Sequence, residues 1–250
     1  MANYPDLFNS RGASYHRAML DQPKARSNEF GLAVEKARVN QGLVVCDVPS
    51  GGGYLVPYLV PTTRIICVEY SRQLVTAAAP GGNLPKILAP IASIPLESGC
   101  CDRILSIAGL HHFDSAEKDR FFSEALRVLN DGGLLLLADV DRQSSVAAFL
   151  DGFIGQHNTT GHLGQYFDEK TSDSVSRCGF EVLEKDLEGY PWVFPGVKRM
   201  IDYCRLLFGL IDVSSSQIQQ GIEQYLGYRE FDGACLMNWQ LRFILAGKSR

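Results

Sequence analysis

Apolar residues fall into two alternating rhythms along much of this chain. Short segments rich in apolar residues occur at Val44 to Cys46, Ile65 to Val68, Lys86 to Ala89, Asp102 to Ala108 and Leu134 to Val140. Such runs are strands buried on both faces, as parallel sheets require. Between them the spacing turns helical. Ser71 can cap a helix through Ala79 that Pro80-Gly81-Gly82 stops, and Asp114 with Glu117 forms a capping box. That box opens a helix through Leu129 with Phe122, Ala125, Leu126 and Leu129 inward, and Asn130-Asp131-Gly132-Gly133 turns it into the next strand. Alternating elements of this kind define an α/β fold with a doubly wound, mostly parallel sheet.

The flanks read differently. Ala13 to Leu20 and Pro23 to Val39 form a helical lead-in, with Phe30, Ala33, Val34 and Ala37 on one face, and Gly42 releases the chain into the first strand. Ser144 to Ile154 is helical, Gly155 to Gly164 a polar loop with His157 and His162, and Asp168 to Cys178 a helix closed by Gly179. Strands follow at Phe180 to Leu187 and Trp239 to Ala246. The segment between them carries Val197, Met200, Ile201, Cys204, Leu207 and Phe208 at helical spacing, widened by Leu206 and Leu210. A helix apolar on two sides needs two partners, so it is expected between the sheet domain and either a substrate or a second subunit in a homodimer, with extra core as the competing reading. Ser214 to Ser216 caps a second helix with Ile218, Ile222, Tyr225 and Leu226. The expected domains are a lead-in over 1–40, an α/β core over 41–190, a helical insertion or lid over 191–232 and a final edge strand over 233–250.

Candidate chemistry starts at Val44 to Leu55, VVCDVPSGGGYL. A buried strand runs into Pro49-Ser50-Gly51-Gly52-Gly53, and Tyr54 to Val60 reads as a short helix between prolines. Glycines let the backbone approach a ligand, and a helix start offers unpaired N–H groups. Glu69 ends the next apolar run, where a second parallel strand ends after one crossover. A carboxylate there can accept both hydroxyls of a ribose. Tight packing of the glycines and a solvated strand-end acid are the bland alternatives; together the two elements point to an adenosine ligand.

From Gly42 to Val140 the chain resembles the class I S-adenosylmethionine-dependent methyltransferases, especially the small-molecule branch that includes the ubiquinone and menaquinone biosynthesis type. The resemblance rests on CDVPSGGG, CVEYS, IASIPLESGCCDRILSIAGLHHF and EALRVLNDGGLLLLADV, in that order. Asp47, Gly51 and Gly53 fit the family's acid-and-glycine block, Pro49 takes the place of its first glycine, and Pro90 stands where it usually has an acid for adenine. The resemblance implies a seven-stranded Rossmann-like sheet whose last two strands pair antiparallel at the edge, and a transferase bound to S-adenosyl-L-methionine with S-adenosyl-L-homocysteine as product. Cofactor contacts are expected from Asp47, Pro49, Ser50, Gly51, Gly53, Glu69, Tyr70, Ile91, Ala92 and Ala108.

The acceptor is read as a small molecule with an O, N or S nucleophile, methylated by direct in-line transfer. His111 and His112 leave the fourth strand's carboxyl end facing the same crevice, and an imidazole titrating near ~6.5 suits a base. Tyr15, near Arg11 and Arg17, can assist proton transfer or touch the methionine end. Packing and helix capping are the competing roles for the histidines, and a half-buried wet phenol for Tyr15. If the insertion is a lid, Trp192, Phe194 and Arg199, with Lys198 and Arg205, are best placed to read substrate.

Composition excludes other classes. At 250 residues, 46% hydrophobic and net charge −4, the chain suits a well-buried core and lacks a basic stripe for nucleic acid. Its scattered cysteines form no Cys-x-x-Cys, no closely spaced Cys/His metal-ligand set is visible, and no long apolar run suggests a membrane span, so a cytoplasmic, metal-free, reduced protein is expected. PSGGGY lacks the usual glycine pattern of a nicotinamide dehydrogenase, AGLHHF lacks the Asn-Pro-Pro-Tyr type block of amino-methylating nucleic-acid enzymes, and no Gly-x-Ser-x-Gly elbow is present. An NAD-dependent oxidoreductase and a cofactor-fold scaffold without turnover remain the alternatives.

Overall fold

The computed structural model describes residues 4–78, 84–158 and 160–248. Helices α1 (Tyr4–Asp21) and α2 (Ser27–Lys36) precede β1 (Val44–Asp47), β2 (Arg64–Glu69), α3 (Arg72–Val75), β3 (Lys86–Leu88), β4 (Cys101–Ile107), α4 (Ser115–Val128) and β5 (Leu129–Asp139). Then come α5 (Ser145–Phe149), continued by a π-helical turn over Leu150–Ile154, α6 (Gly155–His157), α7 (Glu169–Arg177), β6 (Phe180–Phe194), α8 (Val197–Phe208), α9 (Ser215–Tyr225), β7 (Tyr228–Phe231) and β8 (Ala234–Lys248).

The strands form one sheet in the order β3-β2-β1-β4-β5-β8-β6, with β7 added along β8. Strands β1 to β5 pair in parallel, and β8 runs antiparallel to β5 and β6. Chain order reverses between β1 and β4, the switch point beyond whose carboxyl ends a doubly wound sheet opens its ligand crevice. Alternate residues serve opposite faces, as period-2 strands dictate: Val45, Leu105 and Leu136 belong to one core cluster, and Cys46, Ile104 and Leu135 to the other. Helix α1 crosses this crevice. Its Tyr4, Leu7 and Phe8 pack with one cluster and its Ala18 and Met19 with the other.

Several expectations need correction. The last strand is not at an edge: β8 inserts between β5 and β6, leaving β6 outermost. Both strands are longer than read, because a Trp-, Phe- and Met-rich hairpin extends past the α/β core and pairs Glu188 with Leu241 through to Phe194 with Cys235. The insertion therefore shortens to α8, α9 and β7. The second apolar side of α8 is met within the chain, since α1 packs along it while β6 and β8 take the other side. Asn130 to Gly133 is a bulge inside β5 rather than a separate turn, with the register against β4 shifting between Cys101 and Arg103. The lead-in begins earlier, at Tyr4, and α2 starts only at Ser27, after a turn over Pro23 to Arg26. After the glycine turn the chain forms only a 3-10 turn, Val56–Tyr58, because Pro57 and Pro61 leave no room for an α-helix. The caps at Ser71, Asp114 and Ser214 form as read, and Asp168 caps α7 as well. The stop at Pro80-Gly81-Gly82 lies outside the described residues.

Candidate active site

Parallel pairing brings Asp47, Glu69, Ala108 and Asp139, each at or just past a strand's carboxyl end, to one edge of the sheet. Glu69 is 1% exposed and turned toward the glycine bend. The Gly51 amide donates to its Oε2 (2.7 Å), as does the Tyr4 hydroxyl (3.2 Å), while the Tyr70 and Ser71 amides donate to Oε1 (2.8 and 2.7 Å). Burial pushes this carboxyl up to about 7 even though all four donors favour the anion. The bend itself is more self-satisfied than a phosphate cradle. Ser50 N donates to Val68 O and Gly53 N to Ser50 O, each 2.9 Å. The Tyr54 ring folds back so tightly that a Cβ on Gly52 would sit 2.6 Å from it, which only glycine permits. A Cβ on Gly109 would likewise meet Pro49 Cγ at 2.6 Å, so the two crossover loops touch.

Asp47, Pro49, Ser50, Gly51 and Ala108 line a cavity against Tyr4, Phe8 and Tyr15 of α1. Gly53, Tyr70, Ile91 and Ala92 do not line it, and Ile91 is instead core, 2% exposed. Asp47 is 4% exposed with no hydrogen bond to any described residue, and burial followed by the Glu69 charge pushes its carboxyl well up. The Ser50 hydroxyl is buried with the Cys67 thiol as its neighbour. Glu69 does not line the cavity, because its four donors, Tyr4 among them, already engage it; the unmet Asp47 carboxylate suits the ammonium of S-adenosylmethionine, and Glu69 suits its ribose once Tyr4 is displaced, so the residues fit the cofactor chemically. Room is the constraint. The cavity holds about 40 Å³, enough for a few waters and not for a nucleoside, so α1 must lift for a ligand to enter.

A second cavity of about 60 Å³, which like the first must widen to take more than a few waters, adjoins it and shares Phe8, Tyr15, Arg26 and Ala108 as wall. Trp192 and Trp239 stack across its floor with centroids 4.0 Å apart. His111 enters it from the 3-10 turn after β4, with its Nδ1 2.7 Å from Asp139 Oδ1. Burial pushes Asp139 up, but the His111 charge and hydrogen bond, the Val140 amide and Lys118 together hold it below the usual carboxylate range. An ionised Asp139 accepts from Nδ1, so in the neutral ring the proton sits on Nδ1 and Nε2 is free. His112 is pushed far down by burial and by the His111 and His162 rings, and His162 falls to about 4 by burial and His111. One nitrogen from each of the three rings lies within 4.8 Å of the others, a spacing that could hold a metal ion. The Arg11 and Lys118 charges beside His112 oppose a dication there.

Tyr15 lies where expected, its oxygen accepting from Arg26 Nη1 at 2.9 Å. Arg17 is exposed and pairs with Asp21. Trp192 is in the second cavity; Phe194 and Arg199 are not, which corrects their reading as substrate contacts. Phe194 packs on Tyr203 with centroids 5.2 Å apart, and Arg199 is exposed on the outer side of α8 beside Asp21 and Asp202. Sequence reasoning missed Tyr4, Asp139, His162 and Trp239. Asp139 carried the same strand-end signal as Glu69; the other three reach the site only through tertiary folding.

Residues 46–137 match a family model described as a methyltransferase domain. A protein of Encephalitozoon cuniculi described as a methyltransferase is 27% identical over 160 residues, 58% of this chain and 73% of that one. Solved structures with this fold include an S-adenosylmethionine-dependent methyltransferase of Thermotoga maritima (TM-score 0.63, 18% identity, 99% of this chain and 100% of that one). Another is a phosphoethanolamine N-methyltransferase of Haemonchus contortus in complex with S-adenosylhomocysteine (TM-score 0.61, 14% identity, 100% of this chain and 61% of that one). The family match thus runs from β1 into β5, and the solved structures share the fold of the chain. No helix among the described residues is long and apolar enough to cross a membrane.

Proposed function

We propose that the chain methylates an O, N or S nucleophile on a small molecule held in the second cavity, by direct in-line transfer. The observation that carries this reading is the shared wall: Phe8, Tyr15, Arg26 and Ala108 border both cavities, so a ligand in one abuts a ligand in the other. Bound S-adenosylmethionine supplies an activated methyl group on a sulfonium. Glu69 takes the ribose hydroxyls in place of Tyr4, and the unmet Asp47 carboxylate takes the amino group. Holding nucleophile and methyl carbon aligned at roughly 3 Å contributes several kcal/mol. Trp192, Trp239, Leu207 and Phe208 keep water from that contact, which favours a step in which positive charge is lost. His111 Nε2, set by Asp139 on the opposite nitrogen, accepts the acceptor's proton. Tyr15, its oxygen already held by Arg26, keeps its own proton to donate toward the acceptor.

Calorimetry with S-adenosylhomocysteine tests the cofactor half. The native chain should bind, and Glu69→Ala should lose at least tenfold in affinity, about one charge-assisted hydrogen bond. Equal binding by the two proteins would refute the ribose assignment. Methyl-labelled cofactor incubated with fractionated metabolite extract tests the acceptor half; label appearing only in protein or nucleic acid would refute it.

A further inference from the structure

The second cavity has an unbalanced charge. Among the described residues no acidic side chain lines it, yet two arginines do. Arg26 is answered by Glu29, with Nε 2.9 Å from Oε1, and Glu29 in turn accepts from Trp192 Nε1 at 3.0 Å. Arg11 has no such answer. Its Nη2 donates to Leu207 O at the carboxyl end of α8 (2.9 Å), while its Nε and Nη1 are buried without an acceptor among the described residues. Trp239 Nε1, on the same cavity, is also buried without an acceptor. Native proteins seldom leave such donors unmet, least of all on a buried cation. The helix end that Arg11 caps supplies partial negative charge but satisfies one nitrogen of three.

The structure assigns these donors to a ligand: we infer that the methyl acceptor is a carboxylic acid, its carboxylate on Arg11 with the Trp239 N–H as a further donor, and its apolar body against the tryptophans. The inference rests on the reading that the second cavity holds the acceptor. A carboxylate suits the site better than a phosphate because Leu150, Leu207, Phe208 and Val140 line the same cavity, and a monoanion is less costly to strip of water than a dianion. Burial alone pulls the Arg11 guanidinium down to about 10, the signature of a cation lacking its counter-ion. Since Arg11 rides on α1, closing that helix over an empty cavity buries an unpaired charge, and closing it over an acid does not. Binding of the acid therefore favours the closed helix.

The test is titration of the protein, saturated with S-adenosylhomocysteine in low-chloride buffer, with matched acid and amide probes: acetate and acetamide, phenylacetate and phenylacetamide. Both tryptophans of the chain line the cavity, so intrinsic fluorescence reads binding directly. At least one acid should bind ten or more times tighter than its amide. Arg11→Gln should abolish that preference while leaving S-adenosylhomocysteine affinity unchanged, and Arg11→Lys should keep part of it. Without ligand, Arg11→Met should melt no lower than the native protein, as expected when an unpaired buried charge is removed. Equal affinity for acid and amide, no response to either acid, or a preference that survives in Arg11→Gln would overturn the inference. Should Arg11→Gln fail to fold, the native acid-to-amide comparison decides alone. Acid preference with no S-adenosylhomocysteine binding would instead leave the anion site standing and sink the methyl-acceptor reading.

Discussion

At the scale of single residues, the site is governed by two acids that burial raises alike and that their partners leave on opposite sides of the ordinary carboxylate range. Glu69 titrates near 7 in the folded chain against an ordinary 4.5. In that window the folded state holds a proton that the unfolded state has released, so this group's contribution to stability falls as pH rises from 4.5 to about 7 and is level above. Ribose hydroxyls stabilise only the ionised form. Cofactor binding should therefore release a proton between about pH 6 and 7, and S-adenosylhomocysteine affinity should weaken by up to about tenfold per pH unit below 7. Calorimetry in two buffers of different ionisation heat measures the released proton; proton uptake, or affinity flat through this range, contradicts the assignment. Asp139, held low by His111, stays ionised throughout and keeps the imidazole in one tautomer. His111→Ala should lower turnover by about 10²- to 10⁴-fold with S-adenosylhomocysteine affinity unchanged, and Asp139→Asn should follow it in part. His112→Ala should cost far less, and a chelator nothing. Activity lost to chelation and restored by zinc would make the three histidines metal ligands instead of a base and its neighbours.

At the scale of elements, α1 does most to build the site. Tyr4, Phe8, Arg11 and Tyr15 recur at i, i+4, i+7 and i+11, so one face of one helix presents all four to the crevice. Tyr4 reaches Glu69, Phe8 and Tyr15 border both cavities, and Arg11 reaches α8. The Tyr4 hydroxyl holds the acceptor position that a ribose hydroxyl needs. Tyr4→Phe should therefore raise S-adenosylhomocysteine affinity by roughly three- to tenfold, the worth of one displaced hydrogen bond. A fall in affinity measured by calorimetry would show that the phenol helps to hold the cofactor instead. The sequence reading placed only Ala13 to Leu20 in this helix, because Asn9, Ser10, Arg11 and Gly12 interrupt the apolar pattern. Tertiary contact overrides that weak local preference: Leu7 and Phe8 are buried, and Gly12 lies so close to Gln73 that a Cβ would sit 2.8 Å from its Cγ. The width of the α8 stripe was legible in the same way, but which surface covered its second side was not. A stripe shows that a partner exists, while the identity of that partner, here α1, is a fact of packing.

At the scale of the molecule, the sheet sets what can meet. Strand and helix periodicity fixed the parallel core, the switch point between β1 and β4, and thus the edge where Asp47, Glu69 and His111 gather, because those rhythms are properties of consecutive residues. The side-chain caps at Ser71, Asp114 and Ser214 were equally local. Strand order past β5 was not: whether the last strand lies outermost or slips between β5 and β6 depends on pairing between segments far apart, and no local pattern distinguishes the two. The same holds for Phe194 and Arg199, whose types suit a substrate but whose side chains the extended hairpin and α8 turn into the core and toward solvent. So the chain's order of residues determined the fold class, the nucleoside-facing edge and the acid at its centre. Only the tertiary structure decided that Tyr4 answers that acid, that Asp139 and His162 join His111, and that Arg11 stays without a counter-ion, because each is a meeting of side chains brought together by packing and not by spacing.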